Sequence, residues 1–124
     1  MNITKINQYV PLARSLATQV LIRTHRHVSI IFNKNAPVAI ASNTPRTHPL
    51  ARKLGYYFDE LHSELAAYLS IRHFDTTNMC LVNFRFNNSG VLKLSRPCKR
   101  CIQWCPLTFG EIWYSNNDGG FERL

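Results

Sequence analysis

A chain of 124 residues with 45% apolar content can bury one core, and its formal net charge of +8 directs it toward anionic partners. That composition argues against disorder, and no apolar run approaches the roughly 20 residues that span a bilayer, so no membrane partner is expected. The N-terminal residues lack the charged start and long apolar stretch of a secretory signal, so the expectation is a cytoplasmic protein with reduced thiols, one domain over 1–124.

Residues 8–24 place Val10, Leu12, Leu16, Ala17, Val20 and Leu21 at helical spacing after Pro11, which suits a first turn. "HVSIIF" and "APVAIAS" are β-branched runs separated by Asn33, Lys34 and Asn35, and predict a hairpin. "NTPRTHPLARKLGYYFD" reads as loop, with a short helical turn near Leu50 to Leu54. "ELHSELAAYLSIRHF" predicts a helix with Leu61, Leu65, Ala66 and Leu69 as its apolar stripe. "NMCLVNFRF" reads as a buried strand, "NNSG" as a turn and "VLKL" as a second short strand. A helix follows from Pro97, with Pro106 limiting its length, and "EIWYS" closes the pattern as a strand before the "NNDGG" loop. Strands separated by helices predict an α/β fold with a mixed, partly parallel sheet of about five strands.

Basic residues gather in "RTHRH", "RTHPLARK" and "KLSRPCKR", and competing readings are a phosphate-binding face and a solvated face kept for solubility. Arg46, His48, Arg52, Lys53, Arg96 and Lys99 are the candidates to hold a phosphate. Tyr56, Tyr57, Phe58 and Phe74 read as core, and Trp104 and Trp113 as core before base-stacking platforms. His25 and His27 flank Arg26 but read as solvated or hydrogen-bonded rather than as a second metal site.

Two short elements carry chemistry together. "HSE" supplies His62 and Glu64 near a helix start, and "PCKRC" supplies Cys98 and Cys101 at another. Zinc accepts imidazole nitrogen and thiolate sulfur, and three such donors leave a fourth position for water. Glu64 is then placed as general acid/base. Two residues apart in a helix interior, His62 and Glu64 would point to different sides, so the helix has to begin close to His62. Cys105 lies seven residues past Cys98, roughly 10 Å along a helix, and drops out as a co-ligand. It and Cys80 read as small buried apolar residues.

"HSE" followed by "PCKRC" resembles H-x-E…P-C-x-x-C, the signature of zinc-dependent nucleobase deaminases. Over residues 8–118 the element order is also similar to the cytidine deaminase-like fold, a three-layer α/β/α sandwich. The resemblance implies one Zn2+ per chain on His62, Cys98 and Cys101, with Glu64 moving the proton from water to the ring nitrogen and on to the leaving amine. It places Asn43, the Ser63 N–H, Tyr114 and Ser115 against the substrate. Relatives often continue into a fifth strand and a further helix, whereas here only "GGFERL" follows the loop. The resemblance then implies a minimal sheet or an edge covered by a homo-oligomer.

The substrates it implies are cytosine in single-stranded nucleic acid, favoured on charge, or a free cytosine nucleoside or nucleotide such as cytidine or dCMP. A tRNA adenosine deaminase shares the motif. A non-enzymatic structural zinc module that binds nucleic acid would need a fourth protein ligand from His48, Cys80 or Cys105.

Overall fold

The β-branched runs on either side of Lys34 and Asn35 form β1 (Arg26–Asn33) and β2 (Ala36–Ser42), an antiparallel hairpin closing on the pair Asn33 and Ala36. Both loop residues have positive φ, 51° and 66°, the backbone that a two-residue loop needs to match strand twist. The computed structural model describes residues 1–20, 26–56 and 60–124. Within them the chain is an α/β protein with a mixed, open sheet of six strands and five helices. No helix among the described residues is long and apolar enough to cross a membrane.

The sheet is organised around β3 (Cys80–Phe86), which pairs antiparallel with β1 and parallel with β5 (Glu111–Ser115). The parallel pair needs a crossover, and α5 (Lys99–Thr108) lies in it. The two-residue strand β4 (Leu92–Lys93) joins the end of β3, and β6 (Phe121–Arg123) runs antiparallel to β5. The order is β2-β1-β3-β5-β6.

Because side chains alternate across a sheet, β1 and β3 each feed two cores. Val28, Ile30 and Phe32 meet Val82, Phe84 and Phe86 on one face, with Ile6 of α1 (Ile3–Asn7) and Ala13 and Ala17 of α2 (Val10–Ala17). On the other face Ile31, Leu81 and Ile112 pack with Ala51 of α3 (Pro49–Lys53), Leu65 and Ala67 of α4 (Ser63–Leu69), and Trp104 and Cys105 of α5. Ser29 and Asn83 share the parity of this second face. They are buried polar residues directly opposite each other in the β1–β3 register.

Several sequence expectations change. The helix over 8–24 shortens to α2 (Val10–Ala17), and α1 (Ile3–Asn7) is a separate element before it, since the Pro11 ring would collide with the Asn7 carbonyl in one continuous helix. Leu21, His25, Tyr57 and Phe58 lie outside the described residues. Helix α4 is short, and Leu61 precedes it, bridged to Thr44 by backbone hydrogen bonds of 3.1 and 2.8 Å. Of the predicted stripe, Leu61 and Leu65 are buried and Ala66 and Leu69 pack partly buried against the same core, while the helix also buries Ala67 and the polar pair Ser63 and Glu64, above Ser29 and Asn83 of the sheet. The last helix passes through Pro106 and ends two residues later. Near a C-terminus the missing N–H costs only the single bond to the Ile102 carbonyl. The sheet has six strands rather than about five, because residues after the "NNDGG" loop form β6. Phe74 is 68% exposed in the turn after α4 and is not core.

Candidate metal centre

Three donor atoms meet where two helices begin. His62 is the N-cap residue of α4 and Cys98 that of α5, both with extended backbone, so neither is committed to a helical side-chain direction. Cys101 follows one turn into α5, and its N–H donates to the Cys98 sulfur at 3.5 Å. The His62 Nδ1 lies 3.6 Å from the Cys98 Sγ and 3.7 Å from the Cys101 Sγ. The three donors lie within 4.8 Å of one another and form a group that could hold a metal ion. A tetrahedral ion with bonds of about 2.3 Å to sulfur and 2.0–2.1 Å to nitrogen has a nitrogen–sulfur edge of roughly 3.6 Å. The donor types and the two nitrogen–sulfur distances therefore suit such an ion.

The thiols divide their roles. Cys98 is lowered to about 3 by hydrogen bonds from the Cys101 thiol, against burial, helped by His62 and the Cys101 N–H. Cys101 is pushed far up by its contacts with Cys105 and Cys98 and by burial. The Cys98 hydrogen bond raises His62 against the opposing effect of burial, with the Glu64 carboxylate adding to the rise. Cys105 is raised by burial within the apolar core and lies outside the donor group.

Helix α4 starts at Ser63, so the requirement that it begin beside His62 is met. Glu64, 5% exposed, lines a cavity of about 310 Å³ together with His62, Ser63, Cys98, Asn43, His27, Glu60, Ser95 and Arg96. A polar floor holds its carboxylate. Asn83 Nδ2 donates to Oε2 at 3.1 Å, and the Ser63 hydroxyl donates to Oε1 at 3.3 Å. Ser29 donates its one proton to Asn83 Oδ1 at 2.7 Å, so in the 2.8 Å contact with Ser63 its oxygen accepts, and Ser63 shares its single proton between Ser29 and Glu64. The carboxylate is thus fixed in a buried wall while its remaining lone pairs stay available to a bound molecule.

Asn43 lines the cavity as well. Its Oδ1 accepts the His27 N–H at 3.0 Å, and its Nδ2 donates to Glu60 at 3.1 Å. Tyr114 and Ser115 do not line the cavity. Tyr114 is buried, and the Ser115 hydroxyl donates to the Lys93 carbonyl at 2.7 Å while its N–H donates to Ser95 at 2.8 Å. Ser115 thereby positions Ser95, which does line it. Of the phosphate candidates, only Arg96 lines the cavity. His48 instead caps α3, its Nδ1 accepting the Leu50 N–H at 3.1 Å, and Arg46, Arg52, Lys53 and Lys99 are exposed elsewhere. His27, Glu60, Ser29, Asn83 and Tyr56 are site residues that the sequence did not single out for the site. The Tyr56 hydroxyl contacts the Cys101 Sγ at 2.7 Å, and burial pushes that phenol far above its usual pKa.

No protein-family model matches this chain, and no curated protein matches it.

Proposed function

We propose that the chain is a zinc-dependent hydrolytic deaminase that converts cytosine to uracil and releases ammonia. In this reading the fold is a three-layer α/β/α sandwich of the cytidine deaminase-like type, and the substrate is cytosine in single-stranded nucleic acid. The observation that carries the proposal is one imidazole nitrogen 3.6 and 3.7 Å from two thiols, in a cavity wall that also holds the buried Glu64. A structural zinc module would need a fourth protein donor. Cys80 packs on the opposite face of the sheet, His48 is engaged as a helix cap, and Cys105, although against the Cys101 thiol, lies outside the group of donors within 4.8 Å of one another.

Zinc held by His62, Cys98 and Cys101 would keep its fourth position for water and lower the pKa of that water toward neutrality. Glu64 accepts a proton from the attacking water and delivers it to the ring nitrogen beside the amine-bearing carbon. It then takes the remaining proton from the added hydroxyl and passes it to the amine, and the C–N bond breaks to release ammonia as the carbonyl forms. Asn83 and Ser63 keep the carboxylate aimed into the cavity throughout. Arg96 at the rim meets a flanking phosphate, in keeping with the net charge of +8. The free thiols require a reducing compartment, which in this reading is the cytoplasm.

A second reading, a free cytidine or dCMP deaminase, draws on the pair Asn43 and Glu60 in the cavity wall. An amide beside a carboxylate suits sugar hydroxyls better than a phosphodiester. The test presents zinc-loaded protein with cytosine-containing single-stranded DNA and RNA, cytidine, dCMP and adenosine, and follows loss of the exocyclic amine by mass and absorbance. Glu64→Ala should retain zinc and lose at least about a hundredfold in rate. Protein carrying one zinc per chain that deaminates none of these substrates would sink the proposal.

A further inference from the structure

Tyr56 touches two of the three donors and belongs to neither helix that carries them. The chain delivers it through the end of α3. Gly55 has φ of +89°, its N–H donates to the Arg52 carbonyl at 3.1 Å, and the Tyr56 N–H reaches back to the Ala51 carbonyl at 3.0 Å. This is a Schellman arrangement, and its accompanying apolar contact is supplied by Tyr56 and Ala51 in the same core. The phenol ring packs edge-on to His62 at 4.9 Å between centroids, and its oxygen lies 2.7 Å from the Cys101 Sγ. The Trp104 Nε1–H donates to that same oxygen at 2.9 Å.

The direction of the proton follows from the chemistry of the three groups. An indole N–H can only donate, so the Tyr56 oxygen accepts from Trp104. A thiolate that ligates a metal has no proton, so the Tyr56 O–H is the donor to Cys101 whenever the centre is loaded. We infer that Tyr56 is a positioning residue of the metal centre, whose hydroxyl, oriented by Trp104, donates to the Cys101 thiolate and sets how much negative charge that sulfur gives the metal. The inference rests on the metal-site reading above. A hydrogen bond to a ligating atom fixes its orientation and tunes its basicity, and losing such a partner commonly costs 10–100-fold in metal affinity.

Cobalt(II) loaded into the centre gives a sulfur-to-metal charge-transfer band that reads electron density on the sulfur. Tyr56→Phe keeps the ring and its contact with His62 and removes only the hydroxyl. It should shift the band to longer wavelength and weaken cobalt and zinc binding about 10–100-fold. Circular dichroism checks the fold. If Tyr56→Phe melts below the assay temperature, Trp104→Phe leaves the phenol in place with its proton no longer directed. It should move the band the same way by less. A wild-type chain that binds cobalt, with a folded variant of unchanged band and affinity, overturns the role of Tyr56 alone. A wild-type chain that binds no cobalt overturns the metal-site reading itself, and the inference with it.

Discussion

Asn83→Leu tests whether the polar floor beneath the cavity holds Glu64. Asn83 is 2% exposed, so its place beneath the carboxylate is closed to bulk water, and Glu64, 5% exposed, meets the cavity only on its other side. Leucine keeps the branched four-atom skeleton of the asparagine side chain with bulkier methyl ends, so the substitution leaves no cavity. The substitution removes the 3.1 Å donor to the Glu64 carboxylate, a hydrogen bond to a charged group worth about 1.5–3 kcal/mol. The Ser29 hydroxyl loses its 2.7 Å acceptor but keeps Ser63 at 2.8 Å, so that loss adds about 1 kcal/mol at most. The 3.5 Å contact from Asn83 to the Ser95 carbonyl is at the limit of a hydrogen bond and adds little. The sum is a destabilisation of about 2–4 kcal/mol, a large part of the stability of a domain this size. Urea denaturation should show an unchanged slope and a midpoint lower by roughly 1–2 M. Glu64→Leu removes the charge that Asn83 serves, so the double variant should recover at least about 1.5 kcal/mol relative to additivity. A single variant within about 0.5 kcal/mol of wild type, or strictly additive losses, would refute the assignment of Asn83 to Glu64.

Metal affinity should fall with falling pH. Ligation needs a neutral imidazole and two thiolates. Cys98, at about 3, is already ionised near neutrality, whereas Cys101, raised, must release a proton, and so must His62 below its own raised pKa. The dissociation constant from chelator competition should therefore rise about tenfold per pH unit at alkaline pH and about a hundredfold below the His62 pKa; a flat profile contradicts the ligand set. Thiol labelling of metal-free native protein, mapped by mass spectrometry, should modify the exposed Cys98 first. Cys80, pushed up to about 12 by burial, should react only on unfolding, and zinc should protect Cys98. Burial tends to raise Glu111, but the Trp113 N–H, the N-terminal ammonium at 3.4 Å and Arg123 at 3.6 Å outweigh it and hold its pKa below the ordinary glutamate value. Its contribution is complete above that value and lost as pH falls through the folded pKa. Glu111→Gln should thus flatten the acid limb of the stability curve and leave its neutral region within about 1 kcal/mol.

The donors were legible because their geometry is local. The spacing of Cys98 and Cys101, and the nearness of His62 to a helix start, are properties of short segments, and α4 and α5 begin where those segments require. The hairpin was legible for the same reason, since Asn33, Lys34 and Asn35 interrupt two β-branched runs. The floor was not. Ser29 inside "HVSIIF" and Asn83 inside "CLVNFRF" look like ordinary members of apolar strands. They become a site only because the β1–β3 register sets them opposite each other under Glu64. Tyr56 was hidden in another way: its burial was foreseeable, but the partner of its hydroxyl lies 45 residues on, in α5. The alternating apolar pattern predicted five strands and missed β6, which has one buried residue, Phe121, in a three-residue segment.

The two halves of the donor set come from chain segments 36 residues apart, with β3 and β4 between them. Bringing the ends of such a loop together costs about 3 kcal/mol of chain entropy by the logarithmic rule. The hairpin of β1 and β2 closes over a two-residue loop, whereas the parallel pairing of Cys80 with Glu111 must wait for the whole α5 segment. An ion gripping both ends binds the closed loop and not the open chain. Such an ion would act as a reversible clasp on the slowest-assembling part of the sheet, holding back escape from the native state more than hastening arrival. A chelator would undo that clasp without breaking a covalent bond, and the half-life of the folded chain would then follow the supply of metal as well as temperature.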